Sequence, residues 1–89
     1  MATLTFTANL LRHVESPSAQ VQGGTIGEVL QTYFASHPQV RGYVVDDQGE
    51  FRKHVAVFLN GEMIHHRVAK TTAVSPADGI FVAQALSGG

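Results

Sequence analysis

Cysteine is absent from the 89 residues, which excludes disulfide staples, thiolate metal sites and thiol nucleophiles together. Neither sign of charge dominates. Six basic and seven acidic residues leave a formal charge of −1, with the signs interspersed, so the field that a nucleic acid or an anionic membrane requires of its partner is missing. The expected partners are proteins, with no nucleic acid and no membrane among them. No apolar run approaches the roughly twenty residues that span a bilayer. The opening Met1-Ala2-Thr3-Leu4-Thr5-Phe6 also lacks the basic region and apolar stretch of a secretory leader. The expected location is the cytoplasm.

Apolar residues make up 44% of the chain and charged residues 15%, a balance that suits one small folded core rather than disorder. From Thr3 to Leu10 the chain alternates, with Leu4, Phe6, Ala8 and Leu10 on one face and Thr3, Thr5, Thr7 and Asn9 on the other, the period of a half-buried strand. A polar break at Glu15-Ser16-Pro17-Ser18 leads to a second short alternation, Ala19-Gln20-Val21-Gln22, closed by Gly23-Gly24. The two segments read as a hairpin. Thr25 with Glu28 three residues on is a capping box. The helix it starts carries Ile26, Val29, Leu30 and Tyr33 as one apolar stripe and stops before Pro38, after about three turns.

Val40 to Val45 follows, then a turn signal at Asp46-Asp47-Gln48-Gly49 and a strong strand candidate from His54 to Leu59. Asn60-Gly61 makes a tight turn. Residues 62 to 79 have mixed polarity and include a further turn at Ser75-Pro76-Ala77-Asp78-Gly79, and Ile80 to Leu86 reads as a buried last strand. The order strand, strand, helix, then two or three strands predicts an α+β fold, with one main helix packed across one face of a mixed four- or five-stranded sheet. With the first and last strands parallel at its centre, this is the β-grasp layout of ubiquitin. The expected division is a domain over residues 1–86 and a flexible tail over 87–89.

That tail, Ser87-Gly88-Gly89, follows the last strand directly. Glycine has no Cβ, so such a segment can thread a narrow channel and deliver a bare carboxylate to another protein's active site. A carboxylate is a poor electrophile. Transfer of AMP from ATP to Gly89 would give a mixed anhydride, open to attack by a sulfur nucleophile and so to a C-terminal thiocarboxylate. The competing reading is that a terminal Gly-Gly is accidental or a scar.

Three stretches carry a family resemblance: His54-Val55-Ala56-Val57-Phe58-Leu59-Asn60-Gly61-Glu62, Thr72-Ala73-Val74 with Asp78-Gly79-Ile80, and Leu86-Ser87-Gly88-Gly89. Together they resemble the ThiS/MoaD family of ubiquitin-like sulfur carriers over most of the chain. The stretch Tyr43 to His54 is more similar to the branch that donates sulfur for cysteine or specialised metabolites than to the thiamin carriers. The chain departs from the common pattern at Gln84-Ala85-Leu86-Ser87, where many members place prolines and small apolar residues.

The resemblance implies that Gly89 is the modified residue and that Gly88, Ser87 and Leu86 are the residues threaded into partners. It implies a carrier rather than an enzyme. It also implies that no cofactor is bound and that ATP is used by the activating partner. The implied partners are an activating adenylyltransferase, a sulfur donor enzyme, a sulfur-accepting synthase and, where a longer precursor exists, a metalloprotease that trims it. Rival readings are the small subunit of a molybdopterin synthase-type complex, a ubiquitin-like protein modifier, and an interaction module with an incidental tail.

Strand alternation points Val55, Val57, Leu59, Ile80 and Val82 toward the helix-covered core. Phe58, Phe81 and Ala83 then face outward as an apolar patch near the tail, a candidate docking surface. The alternative is that residues 62 to 79 cover one of the aromatics. Five histidines, notably His65-His66 with His54, have no metal-ligand spacing, and adjacent residues on a strand would face opposite ways; no metal site is expected. Asp46, Asp47 and Glu50 sit in a turn with no burial to raise a pKa, and Arg52-Lys53, Arg67 and Lys70 are scattered surface charges.

Overall fold

The computed structural model describes residues 1–6, 18–53 and 55–84. Its strands are β1 (Ala2–Phe6), β2 (Ala19–Val21), β3 (Val55–Leu59), β4 (Glu62–Ile64) and β5 (Gly79–Gln84), and its helices α1 (Ile26–Ser36), α2 (Pro38–Val44) and α3 (His66–Ala69). They form a five-stranded sheet in the order β2-β1-β5-β3-β4. β1 and β5 lie side by side and parallel, with Leu4 opposite Ile80 and Phe6 opposite Val82. Every other pairing is antiparallel. This is the β-grasp arrangement expected from the element order.

Period-two patterning decides which face is covered. Leu4, Val57, Ile80 and Val82 are buried on the inner face beneath Ile26 and Val29 of α1, and Val55 is buried with them while Leu59 packs against the cluster half-buried. Thr3 on the same strand as Leu4 is exposed. Of the strand expected over residues 3–10 and the last strand expected over 80–86, the parts at 7–10 and 85–86 lie outside the described residues, as does His54.

The capping box forms as the sequence dictates. The Thr25 hydroxyl accepts from Glu28 N at 3.2 Å, a donor that the first helical turn leaves free, and the Glu28 carboxylate reaches back past the cap to accept from Gly24 N at 2.7 Å. The segment 70–74 pins that helix start: Lys70 O accepts from Gly27 N at 3.0 Å, Thr72 O from Ile26 N at 3.0 Å, and Val74 N donates to Gly24 O at 3.0 Å. Glycine is required at position 27, because a Cβ there would stand 2.7 Å from Lys70 O.

Two features differ from the sequence reading. Pro38 does end α1, with His37 outside helical geometry, but it also opens α2 as the first helical residue and so buries Val40 and Val44. Proline lacks only the N–H that a first turn leaves unused. Residues 62 to 79 hold β4 and α3, and the adjacent histidines are not on a strand. His65 caps α3, its Nδ1 accepting from Arg67 N at 3.0 Å, and His66 lies in the helix with Nε2 bonded to Val55 O. No group of side chains suited to a metal ion occurs among the described residues. No described helix is long and apolar enough to cross a membrane.

Candidate functional site

The outer face of the sheet carries the apolar surface. Phe58 on β3 stands opposite Phe81 on β5, their ring centroids 6.2 Å apart and tilted by 52°, and Ala56 stands opposite Ala83 two residues along, the next pair on the same face. Phe81 is 40% exposed, and Phe58 and Ala83 are half-buried. The structure therefore brings all three expected patch residues together and leaves Phe81 open.

Met63 completes the surface and was missed by the sequence reading. It lies opposite Phe58 on β4 and is 63% exposed, so Met63, Phe58 and Phe81 form a continuous apolar stripe over three strands. A signal for it exists in the sequence. Asn60 and Gly61 have φ of +52° and +86°, the two left-handed residues of a type I′ turn. A two-residue loop makes Leu59 and Glu62 partners and hence Phe58 and Met63 the next pair. The stripe ends on β1 at Thr5, opposite Phe81, whose hydroxyl is 3.0 Å from that of Ser18.

Polar groups brace the turns rather than form a reaction centre. Asn60 Nδ2 donates to Asp78 at 3.0 Å, Gly79 N donates to Asn60 Oδ1 at 2.8 Å, and Ser75 N donates to Asp78 at 2.8 Å. The bonds from Asn60 and Ser75, the first foremost, hold the Asp78 carboxyl below its ordinary pKa. Asp46 accepts from Glu50 N at 3.0 Å and Gln48 N at 2.9 Å, and the first of these does most to lower its pKa. A carboxylate stabilised in its charged form is a turn brace, not a general acid.

The cations divide by use. Lys70 pairs with Glu50 at 3.0 Å and bonds Gly49 O, and Arg52 Nε donates to Gly42 O at 2.7 Å. Lys53 and Arg67 are exposed with no side-chain partner among the described residues.

β5 delivers the chain toward its end beside this surface. Gln84, the last described residue, pairs with Val55, one step beyond the Ala83–Ala56 pair. Leu86, Ser87, Gly88 and Gly89, the expected tail and its modified terminus, lie outside the described residues.

Comparison with known proteins agrees with this geometry. The chain is similar to small archaeal modifier protein 3 of Haloferax volcanii, 32% identical over 65 residues, which cover 73% of this chain and 70% of that protein. Among solved structures, SAMP1 from Haloferax volcanii matches with a TM-score of 0.78 at 26% identity, covering 99% of this chain and 98% of its own. A chain of the Amycolatopsis orientalis BexX/CysO complex matches with a TM-score of 0.83 over 100% of both chains; at 19% identity it speaks to the fold alone. The model of the ThiS family matches residues 5–89. This chain belongs to the ThiS family, a family of ubiquitin-like sulfur carriers and modifiers.

Proposed function

We propose that this protein is a sulfur carrier, a protein substrate of its partner enzymes, with a β-grasp body through residue 86 and residues 87–89 as the working tail. The observation that carries the reading is that the ThiS family match runs to residue 89 and so includes Ser87-Gly88-Gly89. A Gly89 carboxylate oxygen attacks the α-phosphorus of ATP held by an adenylyltransferase, and pyrophosphate leaves. A sulfur nucleophile delivered by a donor enzyme then attacks the acyl carbon and expels AMP. With hydrosulfide as the nucleophile the product is the thiocarboxylate directly. Its sulfur displaces a leaving group from the acceptor bound by a synthase, and water then cleaves the acyl–sulfur bond, releasing the acceptor as a thiol and returning the carboxylate. The carrier binds no cofactor, and ATP belongs to the activating partner.

The stripe of Met63, Phe58 and Phe81 supports the docking half of this reading. An apolar surface on a rigid sheet, next to the strand that leads to the tail, suits a partner that must hold the body while it acts on the end of the chain.

A second reading shares the first step. The likeness to small archaeal modifier protein 3 favours attack on the Gly89 adenylate, or a thioester formed from it, by a lysine amine, which would give an isopeptide-linked modifier. Adenylation itself is tested by pyrophosphate exchange into ATP with the adenylyltransferase of the same organism. Exchange should require this chain and be lost when Gly89 is removed, and exchange that persists without Gly89 would contradict both readings.

A further inference from the structure

The apolar stripe runs into a cavity of about 340 Å³, near the lower end of the roughly 300–1,000 Å³ typical of ligand pockets. It opens where β4 stops at Ile64 while β3 continues to Val55, a stretch of edge that β4 does not pair and that His66 meets at Val55 O. Val55, Ala56, Met63 and Ile64 form its apolar wall, and Lys53, His65 and His66 complete it. Met63 and Ala56 belong to both the stripe and the cavity. The cavity also lies at the tail end of the sheet, because Val55 pairs with Gln84.

Two of its polar groups, Lys53 and His65, are donors. Lys53 is exposed and has no partner among the described residues. His65 Nδ1 accepts from Arg67 N, which leaves its proton on Nε2 as a donor even in the neutral ring. His66 spends Nε2 on Val55 O. Among the described residues no carboxylate lines the cavity. An apolar wall beneath a cation and an N–H donor is complementary to an apolar side chain with a carboxylate beside it.

We infer that this cavity is the anchor point for the activating adenylyltransferase, receiving an apolar side chain of that partner while an adjacent Asp or Glu meets Lys53. The inference rests on the docking reading above and adds where the partner is gripped and by what chemistry. Continuity with the stripe favours a protein segment over a separate small molecule, and its place at the tail end lets one partner hold both the cavity and the tail.

The test is calorimetric titration of the adenylyltransferase of the same organism with the wild-type carrier, Lys53→Glu, Lys53→Arg and Phe81→Asp, at low and high salt. Lys53→Glu should weaken binding by roughly tenfold at low salt, with the deficit shrinking at high salt, as expected for a rim charge. Lys53→Arg should bind as wild type, and Phe81→Asp should be weak at both salt concentrations. If Phe81→Asp weakens binding and Lys53→Glu does not, the anchor is refuted and the docking face stands. If neither weakens it, the docking reading falls and takes the anchor with it. Sedimentation showing that Lys53→Glu alters only self-association would assign the cavity to a second copy and overturn the proposal.

Discussion

Replacing Val57 with alanine tests the register that puts every outer-face residue where it is. Val57 has no solvent exposure and lies between Val82 of β5 and Ile64 of β4. The change removes two methyl-sized groups, about 1.6 kcal/mol of transfer free energy at ~0.8 kcal/mol each. The space left behind adds to this, because strands braced on both sides close only partly around it. We expect a loss of about 2 kcal/mol. For a domain of this size that lowers Tm by roughly 8–16 °C. Urea unfolding followed by far-ultraviolet circular dichroism reads it as a lower midpoint with an unchanged slope. Thr3→Ala, on the exposed face of β1, is the control and should stay within about 0.5 kcal/mol of wild type. A loss at Val57 no larger than the control's would refute the register, and with it the outward placement of Phe58 and Phe81.

Two further changes address the surface and the turns. Phe81→Asp places a charge in the middle of the apolar stripe and should weaken adenylyltransferase binding by more than about 2 kcal/mol, the scale of a central contact residue. Because Phe81 is 40% exposed, its cost to the fold should stay near 1–2 kcal/mol, and a circular dichroism spectrum showing an unfolded variant would mean the face is misassigned. Asp78 has its folded-state pKa depressed by the bonds from Asn60 and Ser75. It therefore adds stability above the ordinary carboxylate range, and that stability disappears as pH falls through the lowered value. Asp78→Asn should flatten this acid limb of a stability-against-pH curve, and an unchanged limb would place the acid sensitivity elsewhere.

The sequence makes the central strands legible because two-residue alternation over β1, β3 and β5 leaves one assignment of faces, and the Thr25–Glu28 box marks the start of α1. The elements it hides are short. β4 has three residues and α3 four, too few for either period to show, and α2 was masked by a proline that ends one helix and begins the next. The apolar stripe was legible at Phe58, Phe81 and Ala83 because each alternates with a core residue. Met63 required the turn geometry as well. The cavity beside Lys53 depends on where β4 stops relative to β3, a fact of sheet assembly that no local pattern carries.

The most direct test of the carrier reading is the intact mass of the purified chain after incubation with ATP, its adenylyltransferase and a sulfide source, run beside Gly89→Phe and a chain lacking Gly89. The account predicts that the wild-type chain alone gains the mass of one sulfur exchanged for one oxygen, while both variants keep the wild-type thermal transition and stay unchanged in mass. An unmodified wild-type chain in the presence of an enzyme shown to be active, or a gain in mass that survives loss of Gly89, would contradict it.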